Sequence, residues 1–480
     1  MGSRLTSLPE ELFEAEKYSR LKIIFLSVAF FCIIGGYTLA RELKNTLFIA
    51  MVGKDFAPIA KVLSFIVLIP AVLFYSKLVD SMRRYHVLMV CSAFFGIMGL
   101  VFTFLIGHPT IGLLNVDKSP YRIFAWLFYF FGEGYSPFVV SVLWAFVTSI
   151  TSPEESKRNY GVMVAASKIG GALSAAFAWA LFSWSSNLNG LISHVFLHQL
   201  VLGISSLMFI LVIPVIYLLI RRVPKQYLHG YEAAYQLEKE KVEKEEPTQT
   251  QDVQPPILKE PAKKEGMLSG LYLLFKYPYV FGMFGLVFFH EIMDTIFSFL
   301  RLAVGEKSST DIAGFSAFLF QTAFYAHLSG IFISYFGTTP LLTRLGERVC
   351  LLIVPLLNGI LLLYFIIDQS STSFLIVTSA IKSLHYGFSL PVRESLYIPT
   401  IKEIRFKSKS WIDGFGGKFA KAAGSLFNIV LAQLGGAFFL PVYAFSFASL
   451  ISCWFVSAFF LGKRFDQAIK KNEVIGAEVD

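Results

Sequence analysis

Residues 21–50 read LKIIFLSVAFFCIIGGYTLARELKNTLFIA, with no charge between Lys22 and Arg41. About 20 helical residues cross a bilayer, so this run is long enough and apolar enough to do so. Two cations then arrive at Arg41 and Lys44, and Asn45 to Val52 turns apolar again. Spaced three apart, the two share one helical face. A charge near the bilayer centre costs roughly 2.5–3.5 kcal/mol, so it faces a bundle interior or a wet cavity. The alternative is a span that ends at Ala40 with both cations among headgroups, which leaves the following apolar stub unexplained.

Moving outward from that stretch, the pattern recurs. Glu133, Lys168, Glu291, Asp294, Arg393, Lys418 and Lys421 all stand inside apolar runs. Together with Arg41 and Lys44 they describe a polar pathway in which basic residues outnumber acidic ones, and such a pathway suits an anionic cargo. Over the 480 residues 55% are hydrophobic and 16% aromatic, and the mean hydropathy is +0.62. These values define a polytopic membrane protein. Cys32, Cys91, Cys350 and Cys453 lie far apart in apolar stretches and read as small buried hydrophobes, with no metal-ligand spacing.

Twelve spans are expected: Leu21–Ala50, Ala57–Val79, His86–Ile106, Tyr121–Ile150, Tyr160–Trp184, His194–Ile220, Tyr277–Val304, Ile312–Phe336, Cys350–Ile367, Phe374–Ile401, Ile412–Leu434 and Ala437–Leu461. Basic residues gather in alternate connections, at Lys17, Arg20 and Lys22, then Lys77, Arg83 and Arg84, then Lys157 and Arg158, Arg221, Arg222 and Lys225, Arg344 and Arg348, Lys402 to Lys409, and Lys463 and Arg464. The intervening connections are nearly bare, so the positive-inside rule places both termini of this multi-pass protein in the cytoplasm. The net charge of +9 is then accounted for by loops facing anionic lipid, without a nucleic-acid partner. The acidic stretch Met1–Lys17 does not read as a signal or transit peptide.

Between Arg221 and Lys276 the composition shifts, and eight of the nine residues from Glu238 to Glu246 are charged. Such a segment lacks the apolar surface needed to fold. The expected organisation is therefore a cytoplasmic N-terminus (1–20), a six-helix half (21–220), a partly disordered cytoplasmic linker (221–275), a second six-helix half (276–462) and a cytoplasmic tail (463–480). The halves echo each other. Ala166-Ser167-Lys168-Ile169-Gly170-Gly171-Ala172 in the fifth span matches Phe419-Ala420-Lys421-Ala422-Ala423-Gly424-Ser425 in the eleventh, each after a basic loop. A lysine followed by small residues at corresponding positions is the mark of parallel repeats in a 6+6 transporter.

Each charge also has a bland reading. Glu133 precedes Pro137 by one turn, and proline there frees a carbonyl that needs a partner in protein or water. Glu291 and Asp294 share one face of the seventh span, too deep to reach the headgroups. His290 and His327 read as satisfied core residues, Arg393 and Glu394 as a functional pair or an internal salt bridge, and Arg301, Lys382 and Asp413 as interfacial. Gly417-Lys418 lacks the spacing of a phosphate-binding loop, and HExxH, GxSxG and the dinucleotide fingerprint are absent. The expectation is a non-enzymatic secondary carrier with no cofactor or metal.

Arg41-Glu42-Leu43-Lys44-Asn45-Thr46-Leu47, the segment from Phe56 to Lys77, Glu133 before Ile150-Thr151-Ser152-Pro153-Glu154-Glu155-Ser156-Lys157-Arg158, Glu291, and the stretch from Pro391 to Ser425 resemble the nucleotide transporters (ATP/ADP antiporters) of obligate intracellular bacteria and plastids. The resemblance runs from about Leu21 to Gly462. It departs from the family pattern at Glu42 and Asn45, at Gly134-Tyr135-Ser136, at Arg393 and around Lys421. It implies an all-α, major-facilitator-like fold of two pseudo-symmetric halves working by alternating access. It further implies a nucleotide substrate such as ATP or ADP, bound by Arg41, Lys44, Lys168, Arg393, Lys418 and Lys421, with Glu133, Glu291 and Asp294 as their counter-charges. Tyr37, Phe130, Tyr135 and Tyr386 are the candidates for stacking on a base. Three alternatives stay open: a proton-coupled importer of other nucleotides, a carrier of a non-nucleotide organic anion, and a non-transporting receptor or lipid-handling protein.

Overall fold

A computed structural model describes residues 7–151, 153–187, 193–224, 227–228, 269–333, 339–368, 370–401, 404, 408–409, 411–434, 439–471 and 473–476. Most of the expected linker, 221–275, lies outside the described residues, as do Lys402, Arg405 and Lys407 of the basic connections. Among the described residues helices follow in the order α1 Ser7–Met51, α2 Ala57–Ser81, α3 Arg84–Ile106, α4 Ile123–Ile150, α5 Pro153–Asn187, α6 His194–Arg222, α7 Pro278–Ser308, α8 Ile312–Phe332, α9 Thr339–Ile367, α10 Ser371–Leu384, α11 Gly417–Leu434 and α12 Phe439–Lys470. A short helix, Ser269–Lys276, precedes α7. Helices stand at all twelve places the apolar runs mark. Helix α1 starts well before Leu21, and Arg20 and Glu16 form an i, i+4 ion pair at 2.7 Å on that extension.

Among the described residues eight helices, α1, α3 to α7, α9 and α12, are long and apolar enough to cross a membrane. Helix α8 is interrupted by Gln321, Tyr325 and His327, and α10 and α11 are short and carry lysines. A helix that turns a face to a wet cavity needs no all-round apolar surface.

Helices α4 and α10 each contain a π-turn, Ser136–Val140 in α4 and His385–Ser389 after α10, the latter followed by a last helical turn at Leu390–Ser395. Proline accounts for the first. Pro137 has no N–H to give the Glu133 carbonyl, and the Ser141 amide instead reaches the Ser136 carbonyl. The wide turns occur in corresponding helices of the two halves.

The buried apolar core also divides along the chain. One cluster is drawn from Leu274 to Ile475, a second from Leu26 to Val223, and a third from Leu39 to Leu202 with Ala313, Ala317 and Phe320 of α8. Glycines permit the closest crossings. A Cβ on Gly170 of α5 would stand 2.5 Å from the Phe31 carbonyl oxygen of α1, and one on Gly424 of α11 would stand 3.0 Å from the Ile292 carbonyl oxygen of α7. The same helix pairing thus recurs in both halves, α5 on α1 and α11 on α7, with the close glycine shifted by one position in the aligned repeat. Gly171 faces the other way, where its Cβ would stand 2.5 Å from the His327 ring of α8, which brings the halves together.

At the end of the bundle away from the termini, the Arg122 guanidinium folds the α3–α4 connection by donating to the carbonyls of Asn115 at 2.8 Å, Ile111 at 3.1 Å, Asp117 at 3.2 Å, and Gly112. The Ser119 amide donates to the Met51 carbonyl at 3.0 Å. This fold delivers Lys118 to Glu306 of α7 at 2.9 Å, and Lys54 approaches the same carboxylate at 3.6 Å. The contact joins the two halves.

At the opposite end the chain returns on itself after α12. The Ile475 amide donates to the Pro399 carbonyl at 2.7 Å and the Ile401 amide to the Ile475 carbonyl at 3.1 Å, forming a parallel bridge between Thr400 and Ile475. Gly476 takes φ 96°, a conformation glycine tolerates, with Ile401 and Ile404 closely packed around it. Arg464 donates to both carboxylate oxygens of Glu473, and this holds the Glu473 pKa below its ordinary value. A lowered folded pKa contributes stability above the unfolded value of about 4.3 that is lost as pH falls through the folded one. The strap is therefore expected to keep its amide protection at neutral pH and to lose it in acid, or in Glu473→Gln at neutral pH. Hydrogen exchange at the Ile475 amide measures this; equal protection in Glu473→Gln refutes it.

Candidate functional site

Between the two sets of helices lies a cavity of about 400 Å³, the size range of small-ligand sites. Arg41, Lys44, Glu133, Glu291, Asp294, Lys418 and Lys421, all singled out in the sequence, line it. Lys168 reaches its edge, with Nζ 4.5 Å from the centroid of the cavity-lining Tyr386 ring. Arg393 lies behind the wall and meets the cavity through Asp413, at 3.3 Å. Arg393 and Glu394 do not pair with each other: Glu394 is bound by Lys409 instead.

Three separate ionic groups occupy the site. On the N-terminal side, Glu133 accepts from both Lys44 and Lys61, the latter at 2.9 Å. Gly132 makes this possible, because a Cβ there would stand 2.7 Å from Lys44 Cδ and push the lysine off α4. The Lys44 ammonium also lies 4.4 Å from the Tyr129 ring centroid. On the C-terminal side Lys421 pairs with Glu291 at 3.3 Å. The third group spans both sides: Glu42, fully buried, pairs with Arg41 at 2.7 Å and with Arg301 of α7 at 2.8 Å. Arg301 donates further to Thr322 of α8 at 2.8 Å.

Seven lining side chains are cationic, Arg41, Lys44, Lys61, Arg301, Lys382, Lys418 and Lys421, against four carboxylates, Glu133, Glu291, Asp294 and Asp413. Lys418 and Lys382 make no hydrogen bond or ion pair among the described residues. The cavity thus holds more cations than carboxylates, an imbalance that an anion would relieve. Arg301, Lys382 and Asp413, read in the sequence as interfacial, prove to line it. Lys61 had no sequence signal of its own, since a lysine five residues into α2 looks like a headgroup anchor. Glu42 was visible only as a departure from the family pattern.

Of the aromatic candidates, Tyr37 and Tyr386 line the cavity. Tyr135 is fully buried and stacks on Phe209 at 4.8 Å, and Phe130 packs near Trp126 and Tyr129. Neither lines the cavity: α4 turns Tyr135 away from the face that carries Glu133, and Phe130, on the side of Glu133, is taken up by its neighbouring rings. His290 and His385 stack at 3.8 Å between the cavity and a much smaller void reaching Arg393, both with Nδ1 unpartnered.

A helical bundle with this cavity is a multi-pass membrane protein of the major-facilitator fold. Two solved structures share that fold, a D-xylose-proton symporter with a TM-score of 0.62 at 11% identity, covering 92% of this chain and 96% of that one, and a bacterial homologue of the human lysosomal transporter Spinster, inward-facing and unoccupied, with 0.53 at 15%, covering 96% and 99%. The chain belongs to the TLC ATP/ADP transporter family, whose model matches residues 2–380. It is 24% identical to ADP,ATP carrier protein 4 of Rickettsia felis over 98% of this chain and 97% of the relative. With ADP,ATP carrier protein 1 of Chlamydia pneumoniae it shares 22% over 94% and 93%. The plastidic ATP/ADP-transporter of Solanum tuberosum is 34% identical over a shorter stretch, 29% of this chain and 25% of the relative.

Proposed function

We propose that the protein is a secondary carrier that exchanges ATP and ADP across a bacterial inner membrane, with both termini cytoplasmic and without an enzymatic step. The observation that carries this reading is the excess of cations in the central cavity of a member of this family. Phosphate oxygens take charge-assisted hydrogen bonds from lysine and arginine. Glu133 and Glu291 keep Lys44, Lys61 and Lys421 in place while the cavity is empty, and yield them to phosphate on binding. The adenine base is taken by Tyr37 and Tyr386. The halves 21–220 and 276–462, joined by the linker 221–275, then rock about the bound nucleotide and open the cavity to each side in turn.

The test follows uptake of radiolabelled ATP by intact bacterial cells making the protein, with unlabelled ADP, other nucleotides and organic anions as competitors and as chase. Saturable uptake that ADP chases back out is the expected result. Uptake that no nucleotide competes with, or a strict requirement for a pH gradient, overturns it. Loss of a hydrogen bond to a charged group costs about 1.5–3 kcal/mol, so Lys44→Ala and Lys421→Ala are each expected to weaken apparent ATP affinity on the order of ten- to a hundredfold at unchanged membrane abundance.

A further inference from the structure

The ionic groups differ in how well their charges balance. Around Glu42 three cations converge, Arg41 and Arg301 in direct contact and Lys382 of α10 within electrostatic reach of both arginines, of Glu42 and of Asp294. Lys382 makes no ion pair among the described residues, and Asp294 makes none either. Arg301, itself only 3% exposed, leaves its Nε without an acceptor. A buried guanidinium with an open donor beside an unpaired ammonium is unfavourable unless something accepts from both. Arg41, Arg301 and Lys382 all line the cavity, so an acceptor can enter there. They also belong to different halves, Arg41 on α1 and the other two on α7 and α10.

Resting on the reading of the cavity as a polyphosphate site, we propose that Arg41, Arg301 and Lys382 form a second anion subsite that takes one end of the phosphate chain, apart from the lysines held by Glu133 and Glu291. Its ligand is a phosphoryl group carrying two charges. Glu42 and Thr322 take part of each guanidinium, so the phosphoryl oxygens meet the remaining N–H donors of Arg41 and Arg301 and the Lys382 ammonium. A monophosphate that engages the Glu133 and Glu291 lysines leaves the subsite empty, whereas a di- or triphosphate fills it. The subsite therefore sets the preference for phosphate number. Glu42 is a positioning residue that holds the two arginines in register from below.

The test measures half-saturation for ATP, ADP and AMP in cells, as competitors of labelled ATP, for the wild type, Lys382→Gln and Lys382→Arg. Lys382→Gln is expected to weaken ATP by about tenfold or more while shifting AMP little, which compresses the ATP-to-AMP ratio, and Lys382→Arg is expected to restore the ratio. An unchanged ratio in Lys382→Gln overturns the proposal. If Lys382→Gln does not accumulate in the membrane, Arg41→Gln on the other half is measured in its place against the same ratio. Thermal stabilisation of the purified full-length carrier by inorganic tripolyphosphate separates this inference from the proposed function. Stabilisation of the wild type that Lys382→Gln or Arg41→Gln loses upholds the subsite even if no nucleotide is transported; stabilisation equal in wild type and variant, or none in the wild type, overturns it.

Discussion

Replacing Glu133 by glutamine is expected to reduce nucleotide exchange to background, a loss on the order of a hundredfold, while the protein still reaches the membrane. The carboxylate is the common acceptor of Lys44 and Lys61, and Lys44 is nearly buried, its side chain 5% exposed. Breaking a buried ion pair from one side leaves an uncompensated charge and costs about 3–5 kcal/mol. Glutamine fills the same space but offers the two ammonium groups only a neutral acceptor. Two outcomes of that imbalance point the same way: the lysines lose their fixed positions, and the empty cavity holds on to any available anion, which slows release. Exchange measured with labelled ATP inside and ADP outside checks this; a wild-type rate in Glu133→Gln would remove the Glu133 cluster from the transport cycle.

Replacing Gly170 by leucine is expected to eliminate folded protein from the membrane. Overpacking of a core commonly costs about 1–3 kcal/mol when side chains can yield. Here the obstacle is main chain, since even a Cβ would stand 2.5 Å from the Phe31 carbonyl oxygen and 2.9 Å from Phe31 Cα. Helices α1 and α5 would have to separate along their whole crossing, and the cavity wall that holds Arg41 and Lys168 would move with them. Membrane abundance and size-exclusion behaviour of a fluorescent fusion measure the outcome, with Gly161→Leu as comparison because nothing lies within 4 Å of that position. Equal abundance of the two variants would refute the packing argument.

Hydropathy alone places the helices, because a bilayer demands long apolar runs and the chain supplies them at regular intervals. Which charges meet inside is less legible. Glu133, Glu291 and Lys421 stand well inside apolar runs, and Lys44 is followed by the apolar stretch Asn45–Val52, so their role is visible from position. Lys61, Arg301 and Lys382 stand nearer the ends of such runs, where snorkelling to the interface is an equally good account. Only the tilt and crossing of helices brings them to the cavity. Tyr135 shows the converse: it sits two residues from Glu133, yet a rotation of about 200° along an α-helix points it into the core. The repeat was readable as Lys168 with Gly170 and Lys421 with Gly424, but that each glycine admits the backbone of the corresponding neighbour is a fact of packing.

The contact of Lys54 and Lys118 with Glu306 is made by side chains 42%, 54% and 25% exposed, whereas the pairing of Arg301 with Glu42 is buried within the bundle. Dissolved ions screen exposed ion pairs progressively as their concentration rises, and buried ones much less. The grip between the halves at that end therefore varies with the ionic strength of the medium it faces, while the buried Arg301–Glu42 pairing does not. In the proposed alternating-access cycle, the salinity of the compartment beyond that face is therefore expected to set how firmly the halves close there.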